Sequence, residues 1–163
     1  LEIDPNSVPA RLNLANLAMQ ERKHEEALEH LKTILKKEPT HLIAGVSVAN
    51  LYAAQGKYDL ALAQFEEMLK ARPEQMGLNL PLADLAIKTG KYEVAIAKAQ
   101  EILKANPKAA EAYLILGTAY REKLQIDQAI AEFKRAAEVV PKAPGPQYQL
   151  ARTYLRAGRV EEA

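Results

Sequence analysis

AEAYLILGTAYREKLQIDQAIAEFKRAAEVVP, the stretch at residues 110–141, decides the fold. Apolar residues recur in it at spacings of three and four, which is typical of a helix with one buried face. One helix is predicted near residues 110–123 and a second near residues 126–139. The side chains predicted to be buried are Tyr113, Leu116, Gly117 and Tyr120 on the first helix and Ala129, Phe133 and Ala136 on the second.

The prolines show that this stretch is one copy of a repeat. They recur every 34 residues, at Pro5, Pro39, Pro73, Pro107 and Pro141. Two series of small residues keep the same interval, namely Ala27, Ala61, Ala95, Ala129 and Ala163, and Ala15, Ala49, Ala83, Gly117 and Ala151. A fixed period of this size is the signature of stacked helical hairpins. First helices are therefore predicted near residues 8–21, 42–55, 76–89, 110–123 and 144–157, with a partner helix after each of the first four.

The turn inside each hairpin has its own register. Gly56, Gly90 and Gly158 fall where a helix ends in the left-handed conformation, which glycine adopts without steric cost. Arg22 and Leu124 stand in the same register, so their turns are predicted to be strained or differently built.

Pro81 predicts a local weakness in the third first helix. It lies four residues after Gly77, inside the expected helix, where proline removes a backbone donor and crowds the preceding turn. This helix is expected to start late, near Leu80, or to kink there.

The repeat resembles that of the tetratricopeptide repeat family. The family pattern is an aromatic residue, Leu-Gly, Tyr, Ala, an aromatic residue and a closing Pro. The fourth unit supplies Tyr113, Leu116-Gly117, Tyr120, Ala129, Phe133 and Pro141, and the second supplies Tyr52, Ala61, Phe65 and Pro73. The resemblance covers essentially the whole chain. It implies an all-α, right-handed solenoid of antiparallel helix-turn-helix units.

The period also predicts the domain organisation. Complete units are expected at residues 8–41, 42–75, 76–109 and 110–143, with residues 1–7 as the tail of a preceding unit and residues 144–163 as a partial fifth unit. The chain begins with Leu1 rather than Met, and it is interpreted as a segment of a longer repeat array. Both ends are expected to expose apolar surface, through Leu1 and Ile3 at one end and Leu150 and Tyr154 at the other. End-to-end association between copies is therefore predicted.

Composition narrows the class of function. Lys and Arg total 22 against 21 Asp and Glu, a net charge of +1, whereas nucleic-acid binders are usually strongly basic. The chain has no cysteine and no apolar run of the ~18–20 residues that span a bilayer. Neither a cytoplasmic nor a bacterial periplasmic or envelope location is favoured by these features.

No residue pattern points to catalysis. None of the three histidines forms the i, i+4 pair of a helical zinc site, and there is no glycine-rich phosphate loop. A non-enzymatic protein is predicted, with no catalytic residue, no metal site and no cofactor.

The surface opposite the buried stripe is the candidate binding site. Helical geometry places Asn16, Asn50, Asp84, Thr118 and Arg152 there. They are flanked by Leu12, Val46, Leu80, Leu114 and Tyr148, of which Tyr148 is the aromatic anchor that we favour. The family resemblance implies that first helices line a concave groove that holds a protein or an extended peptide. The predicted site comprises Asn16, Asn50, Asp84, Thr118, Arg152, Leu80, Leu114, Tyr148 and Arg156.

The members of this site have different expected roles. An amide both donates and accepts hydrogen bonds, so Asn16 and Asn50 could hold a peptide backbone. Arg121, Arg152 and Arg156 gather towards the last unit, and Arg152 and Arg156 would favour an acidic end of the ligand. Three alternatives stay open: the apolar residues pack adjacent helices together, the asparagines are ordinary polar surface, and the arginines are merely solvated.

One subclass of the family binds the C-terminal carboxylate of chaperones through Lys, Asn and Arg at set positions. Asn16 matches its pattern, but Leu12, Ser47, Gly77 and Pro81 replace the expected Lys, Asn, Lys and Arg, which argues against that ligand. The sequence favours a protein- or peptide-binding scaffold, used as a segment of a larger assembly protein. A helical-repeat RNA-binding module and a regulatory segment of a larger enzyme are the alternatives.

Overall fold

The computed structural model describes Asp4 and residues 7–162, and within them it contains helices and no strand. The α-helices are α1 Val8–Gln20, α2 His24–Lys37, α3 Leu42–Ala54, α4 Tyr58–Ala71, α5 Asn79–Lys88, α6 Tyr92–Ala105, α7 Ala110–Glu122, α8 Ile126–Val139 and α9 Pro144–Arg156. Short 3-10 helices cover Met76–Leu78 and Val160–Glu162. Odd-numbered helices are the predicted first helices, and even-numbered ones are their partners.

The chain divides into two compact units, residues 1–75 and residues 76–163. In the first unit α1 packs on α2, α2 on α3, and α3 on α4. In the second unit α5 packs on α6, α6 on α7, α7 on α8, and α8 on α9. Only a short link joins each hairpin to the next. The prolines of the repeat stand in these links, two residues after the ends of α2, α4, α6 and α8, at Pro39, Pro73, Pro107 and Pro141.

The cores of both units are built from the predicted registers. The small residues Ala15, Ala27, Ala49 and Ala61 of the first unit and Ala83, Ala95 and Ala129 of the second are fully buried. Phe65 and Phe133, which share one register, are also among the largest fully buried side chains. Small and large side chains alternate between facing helices, so the helix backbones approach closely while the rings fill the remaining space. Pro5 and Ala163, the outermost members of their series, lie outside the described residues.

Every hairpin turn has the same hydrogen bonding. At the end of α1 the Lys23 N–H donates to the Ala18 carbonyl at 2.8 Å and the Arg22 N–H to the Met19 carbonyl at 3.1 Å. This pair of bonds is the Schellman motif, whose central residue is left-handed. The same pair recurs after α3, α5, α7 and α9.

The prediction for the two turns without glycine is confirmed. Arg22 and Leu124 adopt φ values of 60° and 61°, close to the 72° and 73° of Gly56 and Gly90. These side chains therefore sit in a conformation that costs a non-glycine residue about 1–2 kcal/mol. The packing of the two helices fixes the path of the turn, so the turn residue adopts the left-handed conformation even without glycine.

The late start predicted for the third first helix is also confirmed. Residues Met76–Leu78 form a 3-10 turn, and α5 begins only at Asn79. Pro81 is then the third residue of the helix, where a backbone N–H has no partner within the helix. The proline is accommodated by shortening the helix rather than by a kink.

Burial in α7 differs from the prediction at the two tyrosines. Leu116 and Gly117 are buried as expected, but Tyr113 and Tyr120 are only half-buried. The Tyr113 hydroxyl donates to the Pro107 carbonyl at 3.1 Å, which holds this polar end of the ring at the surface. Tyr120 lines an open recess instead of the core. The buried stripe of α7 is completed by Ala112, Ile115, Ala119 and Arg121.

The residues expected to be exposed at the ends also need correction. Leu1 and Ile3 lie outside the described residues. Tyr154 is only 5% exposed, because α9 packs on α8 and Lys134 of α8 lies over its ring, with Nζ 6.0 Å from the centroid. Leu150 is half-buried. The neighbouring residue Leu155 is exposed instead. End-to-end association stays a prediction.

Candidate functional site

The first unit carries the two predicted asparagines on its surface. Asn16 of α1 and Asn50 of α3 are exposed, and neither amide pairs with another residue in the part of the chain that the structure describes. Leu12 and Val46 beside them are half-buried, and Leu12 packs against the core of the unit. The first unit thus offers free amides above a floor of partly buried aliphatic side chains.

A further apolar residue extends this surface and was missed from the sequence. Ile43 is 61% exposed at the start of α3. It stands 68 residues, or two repeats, before Glu111, which lines a recess in the second unit. The available signal was the repeat register itself, which places a residue two positions into each first helix on the same face as Leu12 and Val46.

The second unit has a recess of about 410 Å³ between α5 and α7. Its lining consists of Leu80, Pro81, Asp84, Glu111, Leu114 and Ile115. Three predicted site residues, Leu80, Asp84 and Leu114, are therefore brought together. Leu80 is 38% exposed, so an aliphatic side chain is left accessible at the mouth of the recess.

Thr118 contributes less than its position suggested. Its side chain is half-buried, and its hydroxyl donates to the Leu114 carbonyl one turn earlier in α7, at 2.8 Å. The hydroxyl proton is thus already engaged within the helix, so Thr118 offers an approaching ligand only its acceptor lone pairs and its methyl group.

The exposed face of α9 carries the predicted aromatic and two arginines. Tyr148 is 65% exposed and Arg152 is also exposed. Arg156 reaches back to α7, where its Nη1 lies 3.4 Å from Oε1 of Glu122. An exposed aromatic ring beside arginines is the composition from which binding hot spots are usually built.

Arg121 is not the solvated arginine that the sequence suggested. It is 4% exposed, and its Nη1 donates at 2.6 Å to Oε1 of Gln149 on α9. Its guanidinium carbon lies 5.5 Å from the centre of the Phe133 ring on α8, and its Nε lies 3.3 Å from Oε1 of Glu122. Arg121 therefore joins three helices of the second unit and is not available to a ligand.

Two of the three histidines have structural roles. His41 caps α3, with its Nδ1 accepting from the Ala44 N–H at 3.2 Å, and Nδ1 of His30 lies 2.9 Å from Nη1 of Arg11. Among the described residues, no group of three or more His, Cys, Asp or Glu side chains is arranged to hold a metal ion.

Two more recesses lie between second helices and keep the repeat register. One, of about 320 Å³, is lined by Lys32, Leu35, Lys36, Pro39, Gln64 and Glu67 in the first unit. The other, of about 360 Å³, is lined by Gln100, Leu103, Lys104, Leu116, Tyr120, Glu132 and Arg135 in the second unit. Charges of both signs stand at each rim, so these recesses do not favour one class of ligand.

Comparison with known families settles what kind of repeat this is. A tetratricopeptide repeat model matches residues 12–76, 80–144 and 116–163, and therefore nearly the whole chain. The chain belongs to the tetratricopeptide repeat family. A search of curated protein sequences found no match.

Solved structures of tetratricopeptide repeat proteins have the same fold. MamA (residues 41 to the end) from Desulfovibrio magneticus RS-1 superposes with a TM-score of 0.84 at 23% identity, over 94% of this chain and 87% of that one. YrrB, described as a tetratricopeptide repeat protein with an unusual peptide-binding site, gives 0.75 at 23% identity, over 98% and 82%. A tetratricopeptide repeat protein from Parabacteroides merdae gives 0.84 at 21% identity, over 96% and 61%.

These matches confirm the predicted fold class, an all-α helical-repeat solenoid. They also place the chain in a family of protein-interaction scaffolds, which are in general not enzymes. Within the described residues, no helix is both long enough and apolar enough to cross a bilayer.

Proposed function

We propose that this tetratricopeptide repeat chain is a non-enzymatic scaffold that binds extended peptides on the exposed faces of its first helices. The proposal includes the predicted unit boundaries and the site Asn16, Asn50, Asp84, Thr118, Arg152, Leu80, Leu114, Tyr148 and Arg156. The observation that carries it is the recess between α5 and α7, which is lined by Leu80, 38% exposed, and by the half-buried Leu114.

The chemistry of these faces suits a peptide. An extended peptide presents backbone donors and acceptors that protein folding would otherwise satisfy, and the free amides of Asn16 and Asn50 can pair with both. In the second unit, the recess offers an apolar surface to the side chains of a bound peptide. The net charge of +1 gives no long-range attraction for nucleic acid. We therefore propose a protein ligand rather than an RNA.

The proposal extends to the assembly in which the chain acts. A scaffold without chemistry of its own acts by holding partners together, so we propose that the chain serves within a larger assembly. End-to-end association between copies is part of this proposal. Its candidate contact surface in the first unit is Leu14 and Leu17 of α1, which are 39% and 52% exposed. The residues in the same registers of α3, Val48 and Leu51, are 1% and 5% exposed, because α2 packs against α3.

Selection from a phage-displayed library of random peptides tests peptide binding directly. Selected peptides would be synthesised with a fluorophore and titrated against the chain by fluorescence anisotropy. The expected result is saturable binding that weakens in Asn50→Ala or in Leu114→Ala, according to the unit that the peptide occupies. The matched control is Gln128→Ala, which removes an exposed amide from the second helix α8 and should leave binding unchanged. The proposal fails if no peptide is enriched, or if the enriched peptides bind both groove variants as tightly as the wild type.

A further inference from the structure

The recess between α5 and α7 carries a charge pattern that the other first-helix surfaces lack. Its floor is formed by the less exposed Pro81, Leu114 and Ile115, while Leu80 and the exposed carboxylates of Asp84 and Glu111 stand at its rim. In the first unit the registers of these two carboxylates are occupied by Asn16, Asn50 and Ile43, none of which is charged. On α9 the register of Asp84 is occupied by Arg152.

Both carboxylates are accessible to a ligand. Glu111 is exposed and forms no ion pair with any residue that the structure describes. Asp84 is paired with Lys88 one turn later, with Nζ and Oδ2 2.8 Å apart, but its side chain is 58% exposed. A carboxylate retains further acceptor positions after one such pair forms, so Asp84 can accept from a second cation.

From this geometry we propose that the recess selects a large aliphatic or aromatic side chain that is followed or preceded by Lys or Arg. This inference rests on the proposed function, since it names the peptide chemistry that the same site recognises. The apolar side chain fills the floor, and the neighbouring cation is held between Asp84 and Glu111. A negatively charged neighbour is disfavoured, because it would meet two carboxylates at the edge of a surface from which the ligand excludes water.

The opposite charges on α9 give the ligand a direction. Arg152 and Arg156 lie on α9, while the carboxylates lie on α5 and α7. A peptide that reaches both is therefore expected to be basic at the recess and acidic or uncharged beside Tyr148. Arrangement by charge of this kind contributes more to specificity and register than to affinity.

The test is a comparison of peptide preferences among charge variants. Random-peptide selection and sequencing would be carried out on the wild type, Asp84→Asn/Glu111→Gln, Glu111→Lys and Glu138→Lys. Glu138 is an exposed carboxylate on the second helix α8, so its variant has the same net charge as Glu111→Lys without touching the recess. Glu111 lies in the first turn of α7, so its substitution can also change the stability of that helix. Thermal melts of all four proteins would show whether stability differs among them.

Wild type and Glu138→Lys should enrich peptides with Lys or Arg next to a large apolar residue. Asp84→Asn/Glu111→Gln should lose this enrichment, and each carboxylate should account for about a twofold to fivefold difference in Kd. Glu111→Lys should enrich Asp or Glu at the same position. The inference would be overturned by peptides that need Leu114 but show no preference for Lys or Arg, or that keep this preference in Glu111→Lys. Either result would leave the proposal of peptide binding standing. A selection that enriches nothing would overturn both.

Discussion

The ring of Phe133 occupies the space that a side chain on residue 117 would need. A Cβ at Gly117 would lie 2.5 Å from Cε1 and 2.6 Å from Cδ1 of that ring, and Phe133 is fully buried. Helices α7 and α8 can therefore approach this closely only with glycine at position 117. A second glycine inside a helix, Gly45 of α3, faces the flexible end of Met68, whose Sδ would lie 2.6 Å from the new Cβ.

Gly117→Ala is expected to destabilise the second unit. Alanine gains about 1 kcal/mol of helix propensity over glycine, but moving a fixed buried ring costs about 1–3 kcal/mol, so a net loss of up to about 2 kcal/mol is expected. Gly45→Ala is the matched control, because Met68 can change rotamer and the propensity gain then dominates. Urea unfolding followed by circular dichroism measures both, and equal effects of the two substitutions would contradict this account.

Arg22→Gly and Leu124→Gly are expected to stabilise the chain. Each replaces a non-glycine residue in the left-handed conformation, which relieves about 1–2 kcal/mol of strain. Glycine also gives the unfolded chain more freedom, which lowers stability by about 0.5–1 kcal/mol. The net gain should therefore be up to about 1.5 kcal/mol per site. Leu124 is 69% exposed, so little packing is lost. Gly56→Ala should shift the urea midpoint the other way, and a fall in stability for either glycine variant would show that the turns are not strained.

Arg121→Ala is expected to loosen α9. The substitution removes the hydrogen bond to Gln149 and the contact with the Phe133 ring, and bonds of a charged donor contribute about 1.5–3 kcal/mol each. Arg156→Ala removes an arginine whose side chain is 45% exposed and paired with the same Glu122, so its effect should stay within about 1 kcal/mol. Hydrogen exchange should report faster opening of α9 in Arg121→Ala alone.

Tyr148→Ala separates a binding role from a packing role. With 65% of the tyrosine exposed, the substitution should change the free energy of unfolding by less than about 0.5 kcal/mol. Affinity for a selected peptide should fall by at least about 1–2 kcal/mol if the ring is an anchor. An unchanged affinity together with a lower melting temperature would mean that Tyr148 supports α9 and that the ligand binds elsewhere.

The sequence predicted the fold well because every core position recurs at one interval. Ala27, Ala61, Ala95 and Ala129 are each fully buried, and the late start of α5 followed from Pro81 alone. Exposure was harder to predict, because it depends on neighbours that the period does not reveal. Arg121 is buried through a partner on another helix, Gln149. Tyr154 is covered by α8, and Tyr113 is kept at the surface by a backbone carbonyl.

The binding site was predicted only as a set of registers. Helical periodicity placed Leu80, Asp84 and Leu114 on one face, and the structure gathers them around one recess. The apolar pattern did not single out Glu111 or the exposed Ile43, because neither position belongs to it, and only the repeat register places both on this face. Which of these residues contacts a ligand stays a prediction for the experiments above.

The separation of the two sets of registers has an evolutionary consequence. Ala15, Ala49 and Ala83 are fully buried, whereas the next register along each helix, Asn16, Asn50 and Asp84, is exposed. We therefore expect the fold to tolerate substitutions in this exposed register. An exchange of Asn for Asp or Arg at one repeat would then change the charge of the proposed binding surface at little cost in stability. A TM-score of 0.84 at 23% identity shows that this fold is compatible with widely different sequences.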